Sequence, residues 1–311
     1  MSRSLRKFYR KNYLLLLIIL IGFIHGVIYI FVAPPWAHYD EPTHFEYAWM
    51  IANRTLTPKA GDYDNALRRQ ILESMVRHNF YKVRSWEIDV STLQDPVNIG
   101  INQLGDPPVY YLLASIPLRL MRQQPIENQL IACRFVSLIL FLVAVWVGWK
   151  FGEVITGENN PMRWMIPLSM VLLPPLVELM TAVNNDSAAV LVYSLFLLFG
   201  VKLLKNGPHW TTILALILLT IIGFYTKSST WLMVVAMVIA VLVSLFRKRI
   251  ILAWGVVLLV ILISLVALFE WGDAALWYRD TIQNETTRIF TQINGENVYA
   301  LRLLDDSPEY N

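Results

Sequence analysis

The sequence predicts an all-α polytopic membrane protein of about seven transmembrane helices with a large first outer loop. Three observations predict it. Of 311 residues, 56% are hydrophobic and 16% are charged, whereas soluble domains carry about a quarter charged residues. The mean hydropathy is +0.49. Apolar runs of about 20 residues recur, the length that crosses a hydrocarbon core at about 1.5 Å per helical residue. This composition excludes disordered, collagen-like and disulfide-scaffold chains, and the lone Cys133 allows no intrachain disulfide or thiolate metal cage.

Arg3, Arg6, Lys7, Arg10 and Lys11 precede the first apolar run. Residues 1–13 therefore read as a cytoplasmic N-terminus rather than a nucleic-acid surface, and no nucleic-acid partner is expected. Residues 14–33 form the first span. It ends in Val32-Ala33-Pro34-Pro35-Trp36 without a small-x-small cleavage pattern, so a retained anchor is favoured over a cleaved signal peptide. Pro34 and Pro35 stop the helix, and residues 34–129 form the outer loop. Within it, Leu67, Ile71, Leu72, Met75 and Phe80 recur at helical spacing over 64–80, giving an amphipathic helix that either lies on the membrane interface or packs inside the loop. The stretch 109–121, opened by Asp106-Pro107-Pro108, is short for a span and reads as an interfacial or re-entrant helix.

Further spans are expected at 130–151, 163–183, 187–204, 209–226, 229–246 and 250–270. Between residues 164 and 246 only Glu178, Asp186, Lys202, Lys205 and Lys227 are charged. Helices must cover this region almost continuously, because lipid satisfies no open backbone group. Residues 271–311 lose span-like composition and form an extracytoplasmic tail, either packed on the membrane domain or the start of a truncated soluble domain, with possible short strands at TRIFTQI and NVYALRLL.

With 109–121 not crossing, the short inside segments hold the N-terminal cluster, Lys150 with Arg163, Lys202 with Lys205, and Arg247-Lys248-Arg249. This agrees with the inside bias of basic residues. One outer face then gathers the 34–129 loop, the Asn184-Asn185-Asp186 turn, the Tyr225–Ser228 turn and the tail. Asp40 and Glu41 follow the first span closely, flanked by His38 and His44. A lone acidic pair is also an ordinary surface feature. Asp186 stands beside two asparagines where charge is scarce, and it equally fits a helix N-cap. Acidic positions brought together by packing can hold Mg²⁺ or Mn²⁺ or act as a general base, while a lysine offsets phosphate charge. Lys227 fits that role, or simply snorkels to the interface. Tyr110 and Tyr111 suit acceptor contacts or an interfacial aromatic belt.

The order of a first span, a DE-containing loop with a nearby histidine, a Pro-Pro-x-Tyr-Tyr-Leu-Leu segment (107–113), a span beginning near Arg134 and a polar Asp-containing turn two spans later resembles the GT-C superfamily. That superfamily includes polyprenyl-phosphate-dependent mannosyl- and aminoarabinose transferases. The string DEPTHFEY at 40–47 is particularly similar to a bacterial group of membrane proteins in that clan.

The resemblance covers about 14–270, implying a GT-C-like transmembrane domain there, although the family often has eleven or more spans and a longer C-terminal part. It implies sugar transfer from a polyprenyl-phosphate donor to a glycan, lipid or protein acceptor at the outer face of a bacterial plasma membrane, with inversion. Asp40 would match the catalytic carboxylate, Glu41 its acidic neighbour and Asp186 the second-loop carboxylate, with Asp40 and Asp186 as metal positions. His44, Asn185, Lys227, Tyr110 and Tyr111 would contact substrate. No organic cofactor is implied. A non-catalytic assembly scaffold, or a transporter of a lipid-linked or cell-envelope component, is the other reading of an apolar, many-spanned chain.

Overall fold

The computed structural model describes residues 3–38, 40–54, 58–59, 61–81, 88–158 and 160–245, and its described residues are helices and loops with no strand. The helices are α1 (Arg3–Val32), α2 (Glu41–Asn53), α3 (Asn65–Arg77), α4 (Val109–Leu120), α5 (Ile126–Thr156), α6 (Met165–Leu172), α7 (Pro174–Thr181), α8 (Asp186–Asn206), α9 (Trp210–Phe224) and α10 (Leu232–Leu245). The described chain divides into two units. The first takes residues 3–32, 106–110 and 134–245; the second takes 33–105 and 111–133.

Four helical segments are long and apolar enough to cross a membrane: Tyr13–Val32, Ile126–Thr156, Asp186–Asn206 and Ser228–Leu245. Side chains such as Leu20, Ile24, Ile139, Leu218 and Val238 stay exposed along apolar helices, as expected where lipid covers them. The protein is an integral membrane protein. The expectation of about seven spans is corrected to four, or five if a bent pair counts as one, among the described residues.

Two physical reasons account for the difference. The expected 163–183 span is broken: Pro161–Leu172 and Pro174–Thr181 meet at 66°, because Pro174 and Pro175 lack the N–H groups that would bond the carbonyls of Met170 and Val171. The expected 209–226 span narrows to Trp210–Phe224, a helix of 15 residues, below the roughly 20 that cross a bilayer. The 250–270 span, the Arg247-Lys248-Arg249 cluster and the 271–311 tail lie outside the described residues.

In the first unit, α1 packs on α6 and α7, while α8, α9 and α10 pack around Val192, Phe196, Leu203, Leu216, Leu219 and Met233. Gly22 and Gly26 let α1 approach its neighbours closely. A Cβ at Gly22 would stand 2.7 Å from Val171 Cγ1, and one at Gly26 would stand 2.3 Å from Leu138 Cδ1. This is the small-xxx-small spacing that lets membrane helices approach closely, here with side chains of the neighbouring helices filling the space over each glycine. Arg134 is buried and donates to the Ile30 carbonyl at 3.0 Å.

The second unit settles the two placements open for the 64–80 helix. α3 buries Leu67, Ile71, Leu72 and Met75 inside the protein, so its apolar stripe faces a protein core and not the membrane interface. Asp64 caps it by accepting from the Leu67 amide at 3.0 Å. Trp36, fully buried, sets its indole edge against Phe45 and donates to Ser74 Oγ at 2.9 Å; Ser74 in turn donates to Glu127 at 2.7 Å.

Beside this core lies an ion pair sealed from water. Arg68 Nε and Nη2 donate to the two oxygens of Glu46 at 2.7 and 2.9 Å, and Arg68 also donates to the Val97 carbonyl at 3.2 Å. The fork geometry matches the carboxylate edge to edge. Removing one partner leaves the other charged and buried, at a cost of about 3–5 kcal/mol. Arg68→Met is therefore expected to lower the unfolding temperature of the detergent-purified protein sharply, and the Arg68→Met/Glu46→Leu double variant to recover much of the loss. Equal destabilisation of single and double variants in thermal unfolding would contradict this account.

Candidate functional site

Three segments distant in sequence converge in the first unit: the Asp106–Val109 approach to α4, the Asn184-Asn185-Asp186 turn before α8, and the Tyr225–Ser228 turn after α9. The Val109 amide donates to the Tyr225 carbonyl at 3.0 Å, joining the first to the third. Asn185 Nδ2 donates to Asp106 Oδ2 at 2.9 Å, joining the second to the first. Lys227 Nζ donates to Asp186 Oδ1 at 2.5 Å, joining the third to the second. The loop closes on itself through one backbone bond and two bonds to carboxylates.

The local sequence explains each placement. Asp186 is the first residue of α8, where the helix N-terminus favours an anion. Its side chain does not cap the helix; it faces Lys227, so the N-cap alternative gives way to an ion pair. Asn184 Oδ1 instead accepts from the Asp186 amide at 3.0 Å and holds the turn. Asn184 and Asn185 are buried, whereas the side chains of Lys227 and Asp186 remain 30% and 39% exposed. The fixed groups lie beneath, and the charged pair remains accessible.

The other predicted residues divide between the units. Tyr110 belongs to the first, buried, with its hydroxyl 2.9 Å from Ser137 Oγ. Tyr111, one residue on and about 100° around the helix, belongs to the second. Its hydroxyl is hydrogen-bonded to His44 Nδ1 at 2.7 Å, the two rings stack at 5.8 Å, and Tyr47 lies 4.1 Å from the Tyr111 ring. The two tyrosines thus serve different neighbours, although they are consecutive.

Asp40 and Glu41 also part company. Asp40 is the N-cap position of α2 in a left-handed backbone conformation, φ 54°, and its side chain makes no capping hydrogen bond; Asp tolerates this conformation better than most residues. It is partly exposed, whereas Glu41 is fully buried at the start of α2. Trp36, four residues before Asp40, is also left-handed at φ 69°, which is uncommon for a bulky residue. The backbone conformations of Trp36 and Asp40 are therefore held by their surroundings rather than by local preference.

Asp106 is the residue that sequence reasoning passed over as a helix-start signal. Its cue was present, since it is acidic, adjacent to two prolines and set in a charge-poor stretch, but only folding brings it to Asn185. Among the described residues, no group of three or more His, Cys, Asp or Glu side chains is arranged to hold a metal ion. The first-unit cluster instead offers two carboxylates, an ammonium and two amides, groups that can receive hydroxyls and offset an anionic phosphate.

A family model described as "Predicted membrane protein (DUF2142)" matches residues 23–300, most of the chain. No curated protein and no solved structure matches it.

An ion pair this exposed adds at most about 1 kcal/mol to stability. Lys227→Ala and Asp186→Asn are accordingly expected to leave the unfolding temperature in detergent nearly unchanged. A loss above about 2 kcal/mol in either variant, beyond what exposed pairs supply, would show that the pair is structural.

Proposed function

The chain belongs to the DUF2142 family of predicted membrane proteins, and we propose that it is a membrane glycosyltransferase. It takes a sugar from a polyprenyl-phosphate donor and passes it to a glycan, lipid or protein acceptor on the extracytoplasmic face of a bacterial plasma membrane. The observation that carries the reading is the Lys227–Asp186 pair, partly exposed at the start of α8 and braced by Asn185 and Asp106. The order of the DE loop, the Tyr-Tyr segment and the Asp turn supports it through the resemblance to GT-C transferases.

In this proposal Lys227 leaves Asp186 to meet the donor phosphate and offsets the charge that grows there as the bond breaks. The acceptor oxygen attacks the anomeric carbon, and the bond from that carbon to the phosphate oxygen cleaves. Polyprenyl phosphate departs with the bonding pair. The hydroxyl proton passes to a carboxylate, which the resemblance assigns to Asp40. A single displacement inverts the anomeric centre and needs no covalent sugar–enzyme bond. Glu41, being buried, supports the start of α2 rather than touching substrate. Mg²⁺ or Mn²⁺ held by Asp186, or by Asp40 as the resemblance implies, would add positive charge at the leaving phosphate. Substrate contacts are expected first from Lys227 of the exposed pair; the resemblance adds Asn185, His44, Tyr110 and Tyr111, all four of which are buried and would have to be uncovered to reach substrate.

Transport of a lipid-linked envelope component is the second reading, and the 66° break between α6 and α7 is the observation that favours it, because discontinuous helices recur at transporter binding sites. Reconstitution of the full chain in vesicles with a radiolabelled polyprenyl-phosphate sugar and a membrane acceptor fraction separates the two. Transfer of label is expected, falling at least about 100-fold in Asp40→Asn and in Asp186→Asn with membrane insertion unchanged. Wild-type transfer in both variants would overturn the assignment, and movement of intact labelled donor across the vesicle would favour transport.

A further inference from the structure

We infer that His25 is a positioning residue: its imidazole pins the elbow of the broken α6–α7 span and thereby sets the Asn184–Asp186 turn. His25 is the one histidine, and the one Asp, Glu, Lys, Arg or His, between Tyr13 and Val32. A polar ring in an apolar span needs a partner inside the protein. His25 finds one in the Val171 carbonyl, 2.8 Å from Nδ1. A carbonyl only accepts, so Nδ1 carries the proton.

In a continuous helix the Val171 oxygen would receive the amide of residue 175, four positions on. Residue 175 is proline, as is 174, so the break strips exactly this carbonyl of its helical donor. Lipid supplies no replacement. His25 reaches across from α1 and does.

The seat around this bond is shaped for it. Gly22 stands one turn before the histidine's neighbourhood and Gly26 immediately after it. At Gly22 an added Cβ would collide with Val171 itself, and at Gly26 it would meet Leu138 and come within 3.3 Å of Thr181 Cγ2. Val171 is the penultimate residue of α6, and Thr181 is the last of α7. α1 therefore meets the broken span on both sides of the elbow, at Val171 of α6 through Gly22 and the His25 hydrogen bond, and at Thr181 of α7 through Gly26.

From Thr181 the chain runs through buried Ala182 and Val183 directly into Asn184, Asn185 and Asp186. With α7 only eight residues long, an elbow free to swing would carry that turn with it. In the terms of the proposed function, on which this last step rests, His25 holds Asp186 where Lys227 meets it.

The test uses the full chain with Cys133→Ala in lipid nanodiscs, spin-labelled at exposed Ile28 on α1 and Leu179 on α7. A single narrow distance is expected with His25 present. His25→Leu, which removes the donor, is expected to broaden or displace that distance. His25→Asn is expected to restore it, because its amide nitrogen occupies the place of Nδ1; His25→Gln, whose nitrogen falls near Nε2, is not. If His25→Leu fails to fold, the Asn and Gln variants still decide. An unchanged distance in Leu, or Asn behaving as Leu or Gln does, would overturn the inference. In the transfer assay, His25→Leu is expected to lose about 10- to 100-fold, with Asn recovering most of it. Absence of transfer in the unmutated protein would count against the functional reading alone, because the label distances report the elbow independently.

Discussion

A backbone inside lipid has no solvent to fall back on, and the described membrane unit is organised around that constraint. Four segments meet it by remaining helical over 18 residues or more. One does not. Pro174 and Pro175 interrupt the helix where two carbonyls would otherwise be bonded, and the molecule answers from outside the segment, with the His25 imidazole on one carbonyl and close-packed glycine contacts on either side. An unpaired peptide group in an apolar medium costs several kcal/mol, so the bend persists only because α1 is shaped to receive it. The 66° elbow is thus a property of two helices together, and α1 is as much a part of it as the prolines.

The same economy of polar groups governs the helix ends. Charges are few, and those in the first-unit cluster are mutually engaged: Asp106 with Asn185, Asp186 with Lys227. The buried members hold the turn, and the exposed members form a pair whose strength is modest. A weak, accessible ion pair on a well-braced turn is suited to exchange partners, as the proposed function requires of Lys227. The buried Arg68–Glu46 pair in the second unit is its opposite. It is bidentate, sealed and unsuited to exchange, and it joins α2 to α3. Chemically similar pairs therefore have different roles, and exposure separates them.

Periodicity and composition carried much of the fold. The 14–33 run, the long α5 and α8 were legible as uninterrupted apolar stretches, and the 64–80 helix was legible from the spacing of its apolar residues. The break at Pro174 was visible as two prolines but not as a bend, since proline pairs occur in straight spans when neighbours compensate. The apolar stretch around α9 looked long enough because its sequence continues without charge, yet the helix ends at Phe224 and the turn at Tyr225–Ser228 is tied to the Val109 amide. Hydropathy counts apolar residues and is blind to where a backbone turns. For the candidate site, Asp186, Asn185 and Lys227 were legible because charge is scarce around them. Asp106 was not, because its partner lies 79 positions away. Consecutive Tyr110 and Tyr111 read as one aromatic pair, while the helix sends them to Ser137 and His44 respectively.

The sequence by itself determined that this is a helical membrane protein: burial of apolar residues in lipid and the need for internally bonded backbone follow from composition and run length, without knowledge of neighbours. Only the tertiary structure decided how many of those runs are straight spans, which face of the 65–77 helix meets protein, and which polar groups stand together. Each of those outcomes turns on a partner contributed by another segment: a histidine for an open carbonyl, an arginine for a buried glutamate, a lysine for Asp186. Contacts of that range leave no local pattern, because their energy arises only when distant pieces of chain are brought within hydrogen-bonding distance.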